Sequence, residues 1–234
     1  MRIDMRYLTA LSALLAMILV SSTASADEVG VELDLGTNYT SDARYDAIDD
    51  NDYHGRFGAS LSYQTARLVP DLEMLFLFQR AIGDRRVNRF SSAYTSEWQQ
   101  RRFMLGADYG PTFFNFLRPS ARLGAGWAMQ TLEVRTTGPT LQDRAHDFVA
   151  FGALGLGARF RVPMQDGSRL EAMVLGLQTH YGYMYQTEAT FDQLEASSDA
   201  YSEDDPWTRQ SSSLGGVSTR GLFWDMGISM RFAF

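Results

Sequence analysis

Between Leu222 and Phe234 every second residue is apolar: Leu222, Trp224, Met226, Ile228, Met230, Phe232 and Phe234 share one side, and Phe223, Asp225, Gly227, Ser229, Arg231 and Ala233 the other. Only a pleated strand sends successive side chains to opposite faces, so a period of two this long predicts β-structure. Seven further segments alternate in the same way. Val29 to Tyr39 sets Val29, Val31, Leu33, Leu35, Thr37 and Tyr39 against Gly30, Glu32, Asp34, Gly36 and Asn38. Tyr53 to Gln64 sets Phe57, Ala59, Leu61 and Tyr63 against His54, Arg56, Ser60 and Ser62, and Leu72 to Gln79 sets Met74, Phe76 and Phe78 against Glu73, Leu75 and Leu77. The fourth strand opposes Phe103, Leu105, Ala107 and Tyr109 to Arg102, Met104, Gly106 and Asp108. The fifth opposes Leu117, Ala121, Leu123, Ala125, Trp127 and Met129 to Ser120, Arg122, Gly124, Gly126 and Gln130. The sixth, Phe148 to Val162, turns Phe151, Ala153, Gly155, Gly157, Arg159 and Arg161 away from its apolar side. In the seventh two phases compete, and the odd set from Met173 to Tyr183 is taken as apolar-facing, which puts Gln178 and His180 on the polar side.

The connections sort into two kinds. Three are short: Arg67 to Pro70, Gly110-Pro111, and Pro163 to Ser168 with Asp166-Gly167. Four are long: an acidic loop with Asp42, Asp46, Asp49, Asp50 and Asp52, a basic loop with Arg80, Arg85, Arg86 and Arg89, a loop over Thr136 to His146, and the stretch Thr187 to Gly216. Strict alternation of the two kinds predicts an all-β, eight-stranded antiparallel up-and-down barrel with both termini at the short-turn end. A soluble sheet would need a covering layer over so continuous an apolar face, whereas in a bilayer the lipid is that cover. Closure is then obligatory, because each unpaired backbone group in hydrocarbon costs several kcal/mol. Outward aromatics fall at two heights, Tyr63, Tyr109, Phe160 and Phe234 near short turns and Tyr39, Tyr53, Phe78 and Tyr183 near long ones.

At the start, Arg2 and Arg6 precede an apolar run from Tyr7 to Val20 and the small residues Ala24-Ser25-Ala26. That run is too short to span a bilayer and predicts a signal peptide, residues 1–26, cleaved before a barrel domain over 27–234. The chain has no Cys, which excludes disulfides and thiol chemistry, and its net charge of -7 argues against nucleic acid. Every basic side chain is Arg, the better partner for carboxylates in a confined space.

A terminal aromatic with apolar residues alternating behind it, here Ile228, Met230, Phe232 and Phe234, resembles the C-terminal signature of bacterial outer-membrane barrels, and the mature chain resembles the small barrels of the OmpA transmembrane-domain, OmpX and OmpW type. The resemblance implies an outer-membrane location with periplasmic termini, insertion by the barrel-assembly machinery, and a role in envelope integrity, adhesion or small-solute passage.

The candidate chemistry lies on the polar faces. Glu32, Asp34, Glu73, Asp108 and Asp225 stand against Arg56, Arg102, Arg122, Arg159 and Arg231. Eight strands enclose only enough space for side chains, which predicts a lumen filled by Arg–carboxylate pairs, with Gly106, Gly124, Gly126, Gly155 and Gly157 making room for guanidinium groups. A narrow passive channel for small solutes is the alternative, favoured if Leu75, Leu77 and Phe151 line a gap. Catalysis is not expected: His54, His146 and His180 are the only histidines, and neither Ser60 nor Ser62 stands at a spacing that marks a nucleophile beside its base. The acidic runs at Asp49 to Asp52 and Glu203 to Asp205 miss the EF-hand pattern, so neither metal nor cofactor is expected. Arg85, Arg86 and Arg89 are candidates for contact with lipopolysaccharide phosphates, and an extracellular ligand for the loops stays open. The expectation is a non-enzymatic outer-membrane barrel with a plugged polar lumen that serves envelope structure or surface recognition.

Overall fold

The computed structural model describes residues 27–40, 42, 45, 52–64, 71–89, 92–135, 140–164, 170–191, 195–196 and 215–234, with the backbone alone over 84–89, 92–94 and 195–196. Eight strands form the wall: β1 (Glu28–Tyr39), β2 (Tyr53–Gln64), β3 (Leu72–Arg89), β4 (Ser92–Tyr109), β5 (Leu117–Arg135), β6 (Leu141–Pro163), β7 (Ala172–Gln186) and β11 (Gly221–Ala233). Three short strands, β8 (Ala189–Phe191), β9 (Glu195–Ala196) and β10 (Gly215–Val217), fall between β7 and β11. All the wall strands pair antiparallel with their neighbours, and the ladder between β1 and β11 closes the sheet into a barrel. Over the span where all eight strands are paired, the wall has no backbone edge. The predicted leader 1–26 and the acidic run 203–205 lie outside the described residues, as do most of the run 49–52 and the turn 165–169.

The alternation read from the sequence holds strand by strand. In β11, Trp224, Met226 and Ile228 are exposed outward at 45%, 49% and 61%, while Phe223, Asp225, Ser229 and Arg231 are buried inward. In β7 the odd phase is the outward one, because Leu175, Leu177, Tyr181 and Tyr183 face out and Gln178 and His180 are buried.

Two of the four expected loops are not loops. The basic segment with Arg80, Arg85, Arg86 and Arg89 continues β3, and it pairs with β4 up to Arg89↔Ser92. Likewise β5 and β6 stay paired up to Val134↔Leu141, so most of Thr136 to His146 belongs to a strand. Long and short connections therefore do not alternate strictly. The reason is that extended ladders need no lipid-matched face: outside hydrocarbon their hydrogen bonds persist while the period-two apolar signal fades. The described residues of the two remaining long connections add to one mouth. Tyr45 is 1% exposed, β8 and β10 form a two-stranded sheet (Gly215↔Phe191 to Val217↔Ala189) whose Ala189, Phe191 and Val217 are buried, and β9 adds to the edge of β6 at Leu141 and Gln142.

Candidate functional site

Inward-facing positions converge on the barrel axis at the terminus-side half. Glu73 on β3 is wholly buried and gathers three guanidinium groups: Arg231 donates from Nη2 at 2.9 Å, Arg159 donates to Oε1, and Arg118 Nη2 lies 3.0 Å away. Arg118 also reaches Asp108, donating from Nη1 to both carboxylate oxygens at 3.2 Å, and fixes the turn by donating from Nε to the Gly110 carbonyl at 3.0 Å. Arg122 joins two carboxylates. It forms a fork on Glu32 with both bonds at 3.0 Å and donates to Asp108 Oδ2 from Nη2 at 3.0 Å and Nε at 3.2 Å. The planar fork is what lets one side chain tie opposite walls, since Glu32 stands on β1 and Asp108 on β4. Farther along, Asp225 on β11 accepts from Arg56 and lies 2.9 Å from His180 Nδ1.

Asp34 and Arg102 do not fit the expected pattern of Arg–carboxylate pairs. Both are buried in the lumen, but neither makes an ion pair among the described residues. Gly58 leaves the space that the Asp34 carboxylate fills. Arg102 is held by an amide instead: with its side-chain amide oriented to satisfy its neighbours, Asn38 accepts from both Arg102 Nη atoms at 3.0 Å and from His54 Nε2 at 3.2 Å. Sequence reasoning passed over Arg118, whose even position shares parity with Ser120 and Arg122. It was hidden by Pro119 and by its place at the mouth of a turn.

Beside the charges lies an apolar cluster of Leu75, Leu77, Met104, Ala128, Val149, Phe151, Ala153, Met184 and Phe223. Leu75 and Leu77 are 2% exposed, and the Arg56 guanidinium sits 4.4 Å above the Phe223 ring. The glycines make room for different groups than expected. A Cβ at Gly124 would come within 2.6 Å of the Phe151 ring, at Gly106 within 3.3 Å of Leu77, at Gly155 within 2.4 Å of His180 and at Gly157 within 3.1 Å of Gln178. At Gly126 it would strike the Phe103 carbonyl oxygen at 2.0 Å. Arginine side chains crowd Gly30 and Gly110, where a Cβ would come within 2.5 Å of Arg231 and 2.8 Å of Arg118.

At the loop-side mouth the pattern inverts. Phe78, Phe103, Trp127 and Phe148 form one row across four paired strands, all facing out. One step further along, the outward positions become Arg80, Arg101, Met129 and His146, and beyond them stand Ile82, Gln99, Glu97, Glu133 and Arg135. Arg135 donates to Glu133 at 2.6 Å and lies 3.7 Å from Glu97, and these carboxylates hold its pKa above the ordinary value. The inside of the same segment carries an apolar cluster, with Trp98, Leu132, Ala81 and Ala145 buried against Tyr45, Phe191 and Val217 beside the buried amides of Gln100 and Gln130. A sheet that is apolar outside and charged inside, then increasingly polar and charged outside with an apolar cluster inside along the same strands, is passing from hydrocarbon into water.

The chain is a small, closed eight-stranded transmembrane β-barrel. No protein-family model matches it, and no curated protein matches it in sequence. Among solved structures it is similar to Neisserial surface protein A, at 10% identity over 90% of this chain and 100% of that one with a TM-score of 0.39. It is also similar to Ail of Yersinia pestis, at 8% identity over 91% and 100% with a TM-score of 0.40, and to the N-terminal barrel domain of Pseudomonas aeruginosa OprF, at 14% over 88% and 97% with a TM-score of 0.37.

Of the remaining sequence candidates, Ile228, Met230 and Phe234 lie on the outward face of the barrel, while the side chains of Arg85, Arg86 and Arg89 fall outside what is described. His54 is buried between Tyr45 and Trp98, at ring separations of 5.6 and 5.2 Å, His146 is exposed, and Ser60 and Ser62 line the lumen.

Three substitutions test this geometry. Glu73→Gln leaves three buried guanidinium groups short of a carboxylate, and is expected to cost about 3–5 kcal/mol in equilibrium unfolding. Glu171→Gln, whose partner Arg161 is 4.0 Å away with both side chains more than half exposed, costs about 0–1 kcal/mol. On the outer face, Leu123 is 63% exposed within the apolar belt, and Leu123→Arg is expected to lower unfolding stability in lipid vesicles by about 2–4 kcal/mol.

Proposed function

We propose that the protein is a non-enzymatic outer-membrane barrel whose lumen is plugged by its own side chains and whose loop-side end carries its structural or recognition role. The carrying observation is the continuity of buried groups along the axis. The Glu73–Asp108–Glu32 arginine network, the apolar cluster around Phe151 and Phe223, the tier of Arg102, Asn38 and His54, and the apolar mouth with Tyr45 and Phe191 follow one another. Opening a path for water through them would separate ion pairs whose unpaired members are costly. In this reading residues 1–26 direct export, Ile228, Met230, Phe232 and Phe234 are recognised during assembly, and the termini lie in the periplasm.

A second reading, a narrow passive channel, draws on buried polar atoms that find no hydrogen-bond partner among the described residues, among them Arg102 Nε, Arg56 Nε and Gln100 Oε1, which suit water in the upper tier.

Single-channel recording separates the two readings. Folded protein in planar bilayers is expected to be silent, and discrete reproducible steps would replace the plug by a channel. The projecting β3–β4 hairpin is proposed to carry Arg85, Arg86 and Arg89 to anionic lipopolysaccharide phosphates. Replacing all three with Gln is expected to weaken lipopolysaccharide binding and its salt dependence, and unchanged binding would remove that contact from the proposal.

A further inference from the structure

The turn joining β4 to β5 carries a feature that the barrel does not need. Its sequence Gly110-Pro111-Thr112-Phe113-Phe114-Asn115-Phe116 places three phenylalanines in four residues. The Phe116 N–H bonds back to the Phe113 carbonyl at 3.1 Å, the Leu117 N–H to the same carbonyl at 2.9 Å, and the Phe113 N–H to the Leu117 carbonyl at 2.7 Å. Phe114 and Asn115 form the tip with φ of 51° and 65°. Two positive φ values in succession belong to the tight hairpin turn that Asn-Gly or Gly-Gly normally supplies, and a bulky residue there is a backbone outlier. The outlier turns Phe114 away from all support: it is 82% exposed, with Phe113 at 48% and Phe116 at 45%.

The turn is not loosely tethered. Gly110 at its root bonds from N–H to the Asp71 carbonyl and accepts from Arg118, and a Cβ there would come within 2.7 Å of the Pro119 carbonyl oxygen. At its other end the Arg159 N–H donates to the Phe116 carbonyl at 2.7 Å. That bond sets the turn against the end of the outward face of β6, where Phe160 and Val162 are 58% and 41% exposed, and Tyr109 is 49% exposed on β4. The phenylalanines thus extend the lipid-facing belt beyond the last wall residue at the terminus-side rim.

We propose that the Phe113–Phe116 turn is a membrane anchor, lying in the terminus-side leaflet with its three rings at the boundary of phospholipid headgroups and acyl chains. The occupant is lipid because the apolar surface is continuous with a belt that already faces lipid, and a backbone held at both ends presents the rings at a fixed height. The inference rests on the membrane-barrel assignment, and its test separates the two.

Because the chain contains no Cys, single nitroxide labels can be placed at will. Phe114→Cys, Phe160→Cys and Glu171→Cys in the full chain, refolded into phosphatidylcholine–phosphatidylglycerol vesicles and checked for folding by heat-modifiable gel mobility, are compared by power saturation with oxygen and a water-soluble nickel chelate. Phe160 reports the belt and Glu171 reports water at the same end. The label at 114 is expected to follow 160, about 5–10 Å inside the headgroup boundary. A label at 114 that follows 171 while 160 stays in lipid overturns the anchor and gives the rings to an aqueous protein partner. Water access at 160 as well would overturn the membrane assignment together with the anchor.

Discussion

A backbone in hydrocarbon has no water to bond, and every other property of this molecule accommodates that condition. Closure of β1 on β11 satisfies the wall's N–H and C=O groups at a stroke, and leaves side chains to deal with two very different surroundings. Outside, lipid accepts anything apolar of almost any shape. Inside, the volume is small and fixed, so polar side chains there must satisfy one another.

That requirement explains the choice of partners in the lumen. A buried carboxylate has about four lone-pair directions to satisfy, and Glu73 meets them with three arginines from β5, β6 and β11. Arg122 performs the reciprocal task by spending one planar group on two acids from opposite walls. Such a network adds less to stability than its number of contacts suggests, because desolvation offsets most of the attraction. Its stronger effect is on register: sliding any strand by one residue would eject charges into lipid and draw leucines into the lumen.

Much of this was legible in the chain. The period-two pattern marked the eight wall strands and the inward set, because in lipid one face must be apolar without exception, and the signal is strongest where the surroundings are least forgiving. Beyond the aromatic row Phe78–Phe103–Trp127–Phe148 the rule relaxes and then inverts, so Ala81, Trp98 and Leu132 inside and Glu97 and Glu133 outside no longer read as a lipid-facing strand. The pairing of Arg102 with Asn38 rather than with an acid was equally hidden. Parity places a side chain inside the barrel but says nothing of which neighbour its tip will meet across the axis. Tyr45 belongs to the same class, since its position in the mouth follows from the path of a connection and not from any period.

The continuation of β3 and β4 past the lipid boundary has a geometric consequence. From Arg80 to Arg89 the ladder with β4 is unbroken, and at roughly 3.3 Å per residue it spans about 30 Å of chain. The headgroup zone on one side of a bilayer is only about 5–8 Å deep. The described end of this hairpin therefore stands well clear of the lipid surface. A molecule that met the tip could be held at a distance from the membrane greater than its own thickness, with its orientation fixed by the sheet beneath.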